Sequence, residues 1–269
     1  MSTDTVHDDT RSEEGAAGSM SSLVISHESD RVFARIERPE TRNAIDRALA
    51  AELQDLCASL EADPRVLVLS GSTSSQRAVF ASGADISELR DRTREDALAG
   101  INSSVFDRIA RLPMPVVAAV DGYALGGGAE LAMAADFRIA TPRARFGNPE
   151  TGLGIMAAAG ATWRLAELVG PAMAREMLLA GRILDATEAL AAGLVSEIHE
   201  PDELINAASR LVDRIVTQDP LAVRVTKLVL RMPRSAHPVV DDLAQALLFE
   251  SPAKYELMSA FLDRRGGTP

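Results

Sequence analysis

Three consecutive glycines, Gly126–Gly128 in the stretch GYALGGGAELAMAAD (residues 122–136), follow an apolar strand-like run and open an Ala-rich helical pattern. Glu130 sits in the first turn of that helix. One glycine is enough for a turn; three leave the start of a helix with a bare backbone. The first four N–H groups of a helix have no partner inside it. Without a Cβ, a ligand can come close to them, and the helix dipole adds partial positive charge there. Such a turn can cradle a phosphate or hold a carbonyl oxygen that turns negative during a reaction. The glycines can equally serve tight packing of helix on strand. Spacing alone leaves all three open.

Strand and helix patterns alternate around this turn. SSLVISHESDRVFARIERP reads as two short strands about a polar turn at Glu28–Arg31, and helical spacing follows from Asp46 to Glu61. RVLVLSG (65–71) is a buried strand. AVFASGADISELRD turns through Gly83 into a helix, with Asp85 and Glu88 spaced as a capping box. That helix is expected to run on to Pro113 and Pro115. PVVAAVDGYAL and DFRIAT (136–141) are further strands; 160–192 reads as helical, GLVSEI (193–198) as a strand, and the rest as helix. This is an α/β core over 22–200 with a helical region over 201–269 and no fixed-period repeat.

A net charge of −11 argues against nucleic acid or an anionic membrane as a general partner, so an anionic ligand needs local Arg or N–H groups. The single cysteine, Cys57, lies on the apolar stripe Leu49, Leu53, Leu56, Cys57, Leu60 and reads as a core residue. No apolar run approaches the ~20 residues of a membrane span. Residues 1–21, rich in Ser, Thr, Asp, Glu and Gly without an apolar stretch, read as a disordered leader rather than a secretory signal, which makes a cytoplasmic location the expectation.

A rival phosphate site, GLGIMA (152–157), fits the G-x-G-x-x-A dinucleotide fingerprint, but RFGNPET before it is polar and broken by proline where the fingerprint needs a strand. A nucleotide-dependent oxidoreductase is therefore the weaker reading.

FASGADI, PVVAAVDGYALGGGAELAMAADFRIA, ARFGNPETGLGI and GRILDATEALAAGLV, in this order, resemble the crotonase superfamily, the enoyl-CoA hydratases and isomerases, over about residues 22–265. The resemblance implies a spiral of repeated ββα units followed by C-terminal helices that pack chains as trimers or dimers of trimers. It also implies an acyl-CoA thioester substrate, with no metal or redox cofactor. It makes the glycine turn half of an oxyanion hole. The matching positions are the backbone N–H groups of Ala84 and Gly127, gripping the thioester oxygen. Preorganised donors count most where charge develops.

At the two positions where hydratases of this family carry catalytic acids, this chain has Glu130 and Glu150. Hydration needs one group to take a proton from the attacking water and another to deliver one to C2. The resemblance makes Glu130 the base and Glu150 the acid. Singly, Glu130 can merely complement the helix dipole, and Glu150 can be a solvated loop residue. Isomerisation by one of them is the nearest rival reaction; a CoA-binding scaffold without catalysis is a further one. Where many hydratases continue with Pro, Gly, Gly and Gln, this chain has Ala157, Ala158, Ala161 and Trp163, while Thr162 and Arg164 are kept. Met156 and Trp163 are candidates for narrowing the acyl pocket. By the same resemblance, Ala81, Ser82, Gly83, Asp85 and Ile86, with Gly126, line the CoA arm; Arg42 meets its phosphates, and Arg264 reaches a neighbouring chain's site.

Overall fold

The computed structural model describes residues 21–72 and 78–266. The expected leader lies, apart from Ser21, outside the described residues. The chain enters through an antiparallel pair, β1 (Leu23–His27) and β2 (Arg31–Ile36), and then α1 (Arg47–Ala62), capped by the Asp46 carboxylate. From there the same step recurs. β3 (Val66–Ser70) precedes β4 (Val79–Ala81), β5 (Val116–Val120) precedes β6 (Tyr123–Leu125), and β7 (Phe137–Ala140) precedes β8 (Arg145–Gly147). In each pair the first strand joins a six-stranded sheet, β1-β2-β3-β5-β7-β10, and the second a four-stranded sheet, β4-β6-β8-β9. β9 (Leu184–Asp185) and β10 (Glu197–Ile198) close the two sheets. Helices follow each pair: α2 (Ile86–Asp91), α3 (Arg94–Ala99) and α4 (Ile101–Ala110), then α5 (Gly127–Ala134), then α6 (Ala161–Ala180) and α7 (Ala186–Ala191). This is a spiral of repeated ββα units, as the resemblance implied. The strand starts Val66, Val116 and Phe137 are unevenly spaced, which is why no period shows in the sequence.

The central strands of the large sheet, β3 and β5, are buried on both faces and so read as continuous apolar runs. Leu67 and Leu69 of β3, with Val116, Ala118 and Val120 of β5, face α1, α4, α5 and the small sheet. Val66, Val68, Val117 and Ala119 face α8 (Leu204–Val216). That helix buries Leu204, Ala207, Ala208, Leu211, Val212 and Ile215, one stripe at helical spacing. α9 (Pro220–Leu230) is tied to the sheet by Lys227, whose Nζ donates to Asp136 at 2.7 Å and to the Met114 carbonyl at 2.9 Å. α10 (Val239–Phe249) and α11 (Pro252–Gly266) end the chain. Cys57 is fully buried, and burial pushes its thiol up to about 12.

Several expectations need correction. PVVAAVDGYAL is two strands in different sheets, because Asp121 and Gly122 turn the chain between them. The expected helix from Asp85 to Pro113 is three, interrupted at Arg92–Thr93 and at Gly100, where Thr93 starts a capping box of its own with Asp96. Asp85 caps α2 through the Ser87 and Glu88 N–H groups, but its own N–H goes to the Ile45 carbonyl, so Glu88 does not complete a box. Residues 160–192 are interrupted by β9, and the strand expected over 193–198 shrinks to β10.

The third glycine has a packing role. A Cβ on Gly128 would stand 2.0 Å from the Ala81 carbonyl oxygen of β4, whereas one on Gly152 would meet nothing within 4 Å. Gly128→Ala is therefore expected to cost about 3 kcal/mol, the upper range for overpacking, and Gly152→Ala almost nothing. Urea unfolding of the two variants checks this; equal midpoints would refute it.

Candidate active site

Two bends of the small sheet meet. β4 ends in Ser82–Gly83–Ala84, pinned by Ile45 N–H to Gly83 O (2.8 Å) and Ser82 N–H to Arg42 O (3.2 Å). Behind it Asn43, fully buried, donates from Nδ2 to the Val79 and Phe80 carbonyls at 2.8 and 3.2 Å. β6 pairs parallel to β4 and ends in Gly126, whose φ of 53° and ψ of −125° lie where side chains are strongly disfavoured. The bends abut: a Cβ on Gly83 would lie 3.5 Å from the Gly127 nitrogen, and one on Gly127 would lie 3.5 Å from the Ala84 nitrogen. Among the described residues neither of those N–H groups donates to a protein acceptor. Two unspent donors thus stand side by side.

Glu130 lies one turn into α5, which is buried along its whole length, and is itself only 3% exposed. Its Oε1 accepts from the N–H groups of Ala159 and Ala161 at 2.7 and 3.1 Å. Burial pushes its carboxyl up to about 7. The two N–H groups and the more distant Arg164 oppose that rise, and Glu150 adds to it. Glu150 comes from the 3₁₀ turn Pro149–Leu153 that follows β8 and is half-buried. Its Oε1 lies 3.2 Å from where a Gly126 Cβ would be and 3.4 Å from Asn148 Nδ2, while its Oε2 is buried without a partner. Burial raises its carboxyl too, against the pull of its own N–H and of Asn148.

The structure therefore brings Glu130, Glu150, Gly83, Ala84, Gly126 and Gly127 together. Ala81, Ser82, Asp85 and Ile86 run along the same bend, with Ile86 exposed, and Arg42 is exposed beside it. Met156 and Trp163 are exposed, the Trp163 ring lying 4.9 Å from the Arg164 guanidinium. Arg264 donates to the Ala260 carbonyl of its own helix, and no bond joins it to these residues. A short strand, β8, does precede the GLGIMA stretch, contrary to expectation. Yet Gly152 lies in the 3₁₀ turn and the next helix starts only at Ala161, so no helix N-terminus opens on those glycines. Among the described residues no group of three or more His, Cys, Asp or Glu could hold a metal ion, and no helix is long and apolar enough to cross a membrane.

Sequence reading missed Asn148, the donors of the 159–161 loop, and Asn102. Asn102 places its Nδ2 within 3.5 Å of the Gly127 Cβ position and leaves its Oδ1 buried and unpaired. Only Gly160, alone among alanines, signalled that loop.

The model of the enoyl-CoA hydratase/isomerase family matches residues 32–266. The short-chain-enoyl-CoA hydratase of Clostridium acetobutylicum is 36% identical over 257 residues, covering 91% of this chain and 96% of that one. The crotonyl-CoA hydratase of Syntrophomonas wolfei is 35% identical over 251 residues, covering 90% and 95%. The crystal structure of an enoyl-CoA hydratase from Bacillus anthracis superposes with a TM-score of 0.83 at 29% identity, covering 90% and 96%.

The Glu130 carboxyl gives a stability signature. Its folded value of about 7 lies above the ordinary 4.5. The folded chain thus keeps a proton that the unfolded chain has released, and stability falls as pH rises through that window. Glu130→Gln stays neutral and still offers an oxygen to both N–H groups. It should match wild type near pH 4 and exceed it by roughly 3 kcal/mol at pH 8. Denaturant melts at both pH values test this; a constant difference would contradict it.

Proposed function

Because the chain belongs to the enoyl-CoA hydratase/isomerase family, we propose that it adds water across a trans-2-enoyl-CoA to give the 3-hydroxyacyl-CoA. The observation that carries this reading is the placing of two carboxyls, Glu130 buried and Glu150 half-buried, both raised by desolvation, beside two free N–H groups. The thioester oxygen lies against the Ala84 and Gly127 N–H groups. Glu130, ionised, takes a proton from a water as its oxygen bonds to C3. The double-bond electrons move onto the thioester oxygen, and Glu150 delivers a proton to C2 on the same face. A base whose carboxyl ionises near pH 7 suits this task. Afterwards Glu130 holds a proton and Glu150 has lost one; exchange with water resets the pair.

Coenzyme A enters as part of the substrate, along Ala81–Ile86 and Gly126 with Arg42 at the phosphates, while Met156 and Trp163 border the acyl end. A cytoplasmic location and a homotrimer, or a dimer of trimers, complete the reading. Self-association is supported by apolar side chains exposed at helical spacing on α10, Val239, Leu243 and Leu247, continued by Tyr255, Met258 and Leu262 on α11. In that assembly Arg264 of one chain serves a neighbour's CoA.

Loss of enoyl-thioester absorbance with crotonyl-CoA tests the chemistry. Glu130→Gln and Glu150→Gln should each lower kcat by about 10²–10⁴, the range for a lost acid or base, while a CoA thioester still binds. Undiminished turnover in either variant would overturn the mechanism. Leu243→Asp with Leu247→Asp should yield monomers in sedimentation, and an unchanged sedimentation coefficient would remove the proposed interface.

A further inference from the structure

Glu130 is gripped by a loop, and that loop is itself held. Ala159 gives its N–H to Glu130 and its carbonyl to Arg164 Nη1, at 3.3 Å. Between the two donors stands Gly160, with φ of 131°; a Cβ there would lie 2.0 Å from Arg164 Nη1. The loop's backbone is thus shaped around the guanidinium. Arg164, one turn into α6, is 9% exposed, and its Nη2 donates to Asp107 Oδ1 on α4 at 3.2 Å. Asp107 also pairs with Arg111 at 2.6 Å and, more loosely, with Arg231 at 3.6 Å, just past the end of α9. A guanidinium is a planar fork with fixed donor directions, so holding one arm on α4 aims the other at the loop.

We propose that Arg164 is a positioning residue for the reaction: anchored by Asp107, it fixes Ala159 and with it the two N–H groups that aim the Glu130 carboxylate. The proposal rests on the reading of Glu130 as the base.

Among the described residues the charged groups facing Glu130 are Arg164 and Glu150. Arg164 comes from α6 and Glu150 from the 3₁₀ turn, while Asp107 of α4 stands behind Arg164. β4 (VFA) and β6 (YAL), which also pack on α5, bring no carboxylate or cation. Removing the guanidinium takes away a positive charge and slackens two N–H donors, and both had favoured the ionised carboxylate. Glu130 should then ionise at higher pH.

The test is the pH dependence of kcat/KM for crotonyl-CoA in wild type, Arg164→Met and Arg164→Lys. A parallel titration follows the infrared carboxyl band that disappears in Glu130→Gln. In Arg164→Met the acid limb and the band should both move up by about one pH unit, a tenfold loss of kcat/KM on the acid side that recovers by about pH 9, with KM little changed. Arg164→Lys, which keeps the charge but not the fork, should fall between. It decides the matter if the Met variant does not fold. A loss of the same factor at every pH, with the Glu130 band titrating as in wild type, would overturn the proposal. If wild type hydrates no enoyl-CoA, the functional reading fails instead, and the infrared titration still reports whether Arg164 governs Glu130.

Discussion

The site depends on two peptide bends being pressed together until their N–H groups stand side by side. Parallel pairing of β4 with β6 sets the height of the bends. The absence of a Cβ lets the strands carrying them close up, since a Cβ on Gly83 would lie 3.0 Å from the Leu125 carbonyl oxygen and one on Gly128 2.0 Å from that of Ala81. The Asn43 and Asn148 amides brace the two bends, through the Val79 and Phe80 carbonyls and the Gly126 carbonyl, and the donors are as fixed as the sheet that carries them. Two of the three glycines answer a hard constraint, the backbone angles of Gly126 and the close approach of Gly128, whereas a Cβ on Gly127 would make ordinary contacts at 3.5 Å.

A rigid pair of donors is useful only if something reactive stands beside it, and that is costly. Glu130 is a carboxyl on a helix, α5, every residue of which is buried. Two backbone N–H groups offset part of its desolvation, and its ionisation falls near pH 7. Glu150, with Asn148 alongside and one oxygen unpaired, is less deeply enclosed. The two acids are thus held by different means, one by a loop's backbone and the other by a neighbouring amide.

Much of this was legible in the sequence because the burial pattern is local. The strands of the large sheet announce themselves as short apolar runs, and α1 and α8 show clean stripes. The spiral itself was not legible from periodicity: its turns differ in length, and β6 and β8 are three residues each, too short for alternation to register. It came from the resemblance of the glycine motifs to a family. The breaks within 86–110 escaped because Thr93 and Gly100 interrupt a pattern that remains helical on either side. The grip on Glu130 escaped for a deeper reason. It is made by main-chain N–H groups of alanines, and an alanine's letter says nothing about where its N–H points.

That division explains how the segment from Ala157 to Trp163 can depart from the usual hydratase residues. Ala159 and Ala161 bond Glu130 through atoms every residue but proline possesses, so Gly→Ala at 161 keeps the bond as long as the backbone holds its path. What the path cannot lose is Gly160, whose φ of 131° and contact with Arg164 admit no side chain. Substitution at the exposed Met156 alters only what borders the grip on Glu130, whereas Trp163, its ring 4.9 Å from the Arg164 guanidinium, touches the residue that holds the loop. The hold on Glu130 is therefore written in backbone N–H groups, and the surface beside it in side chains.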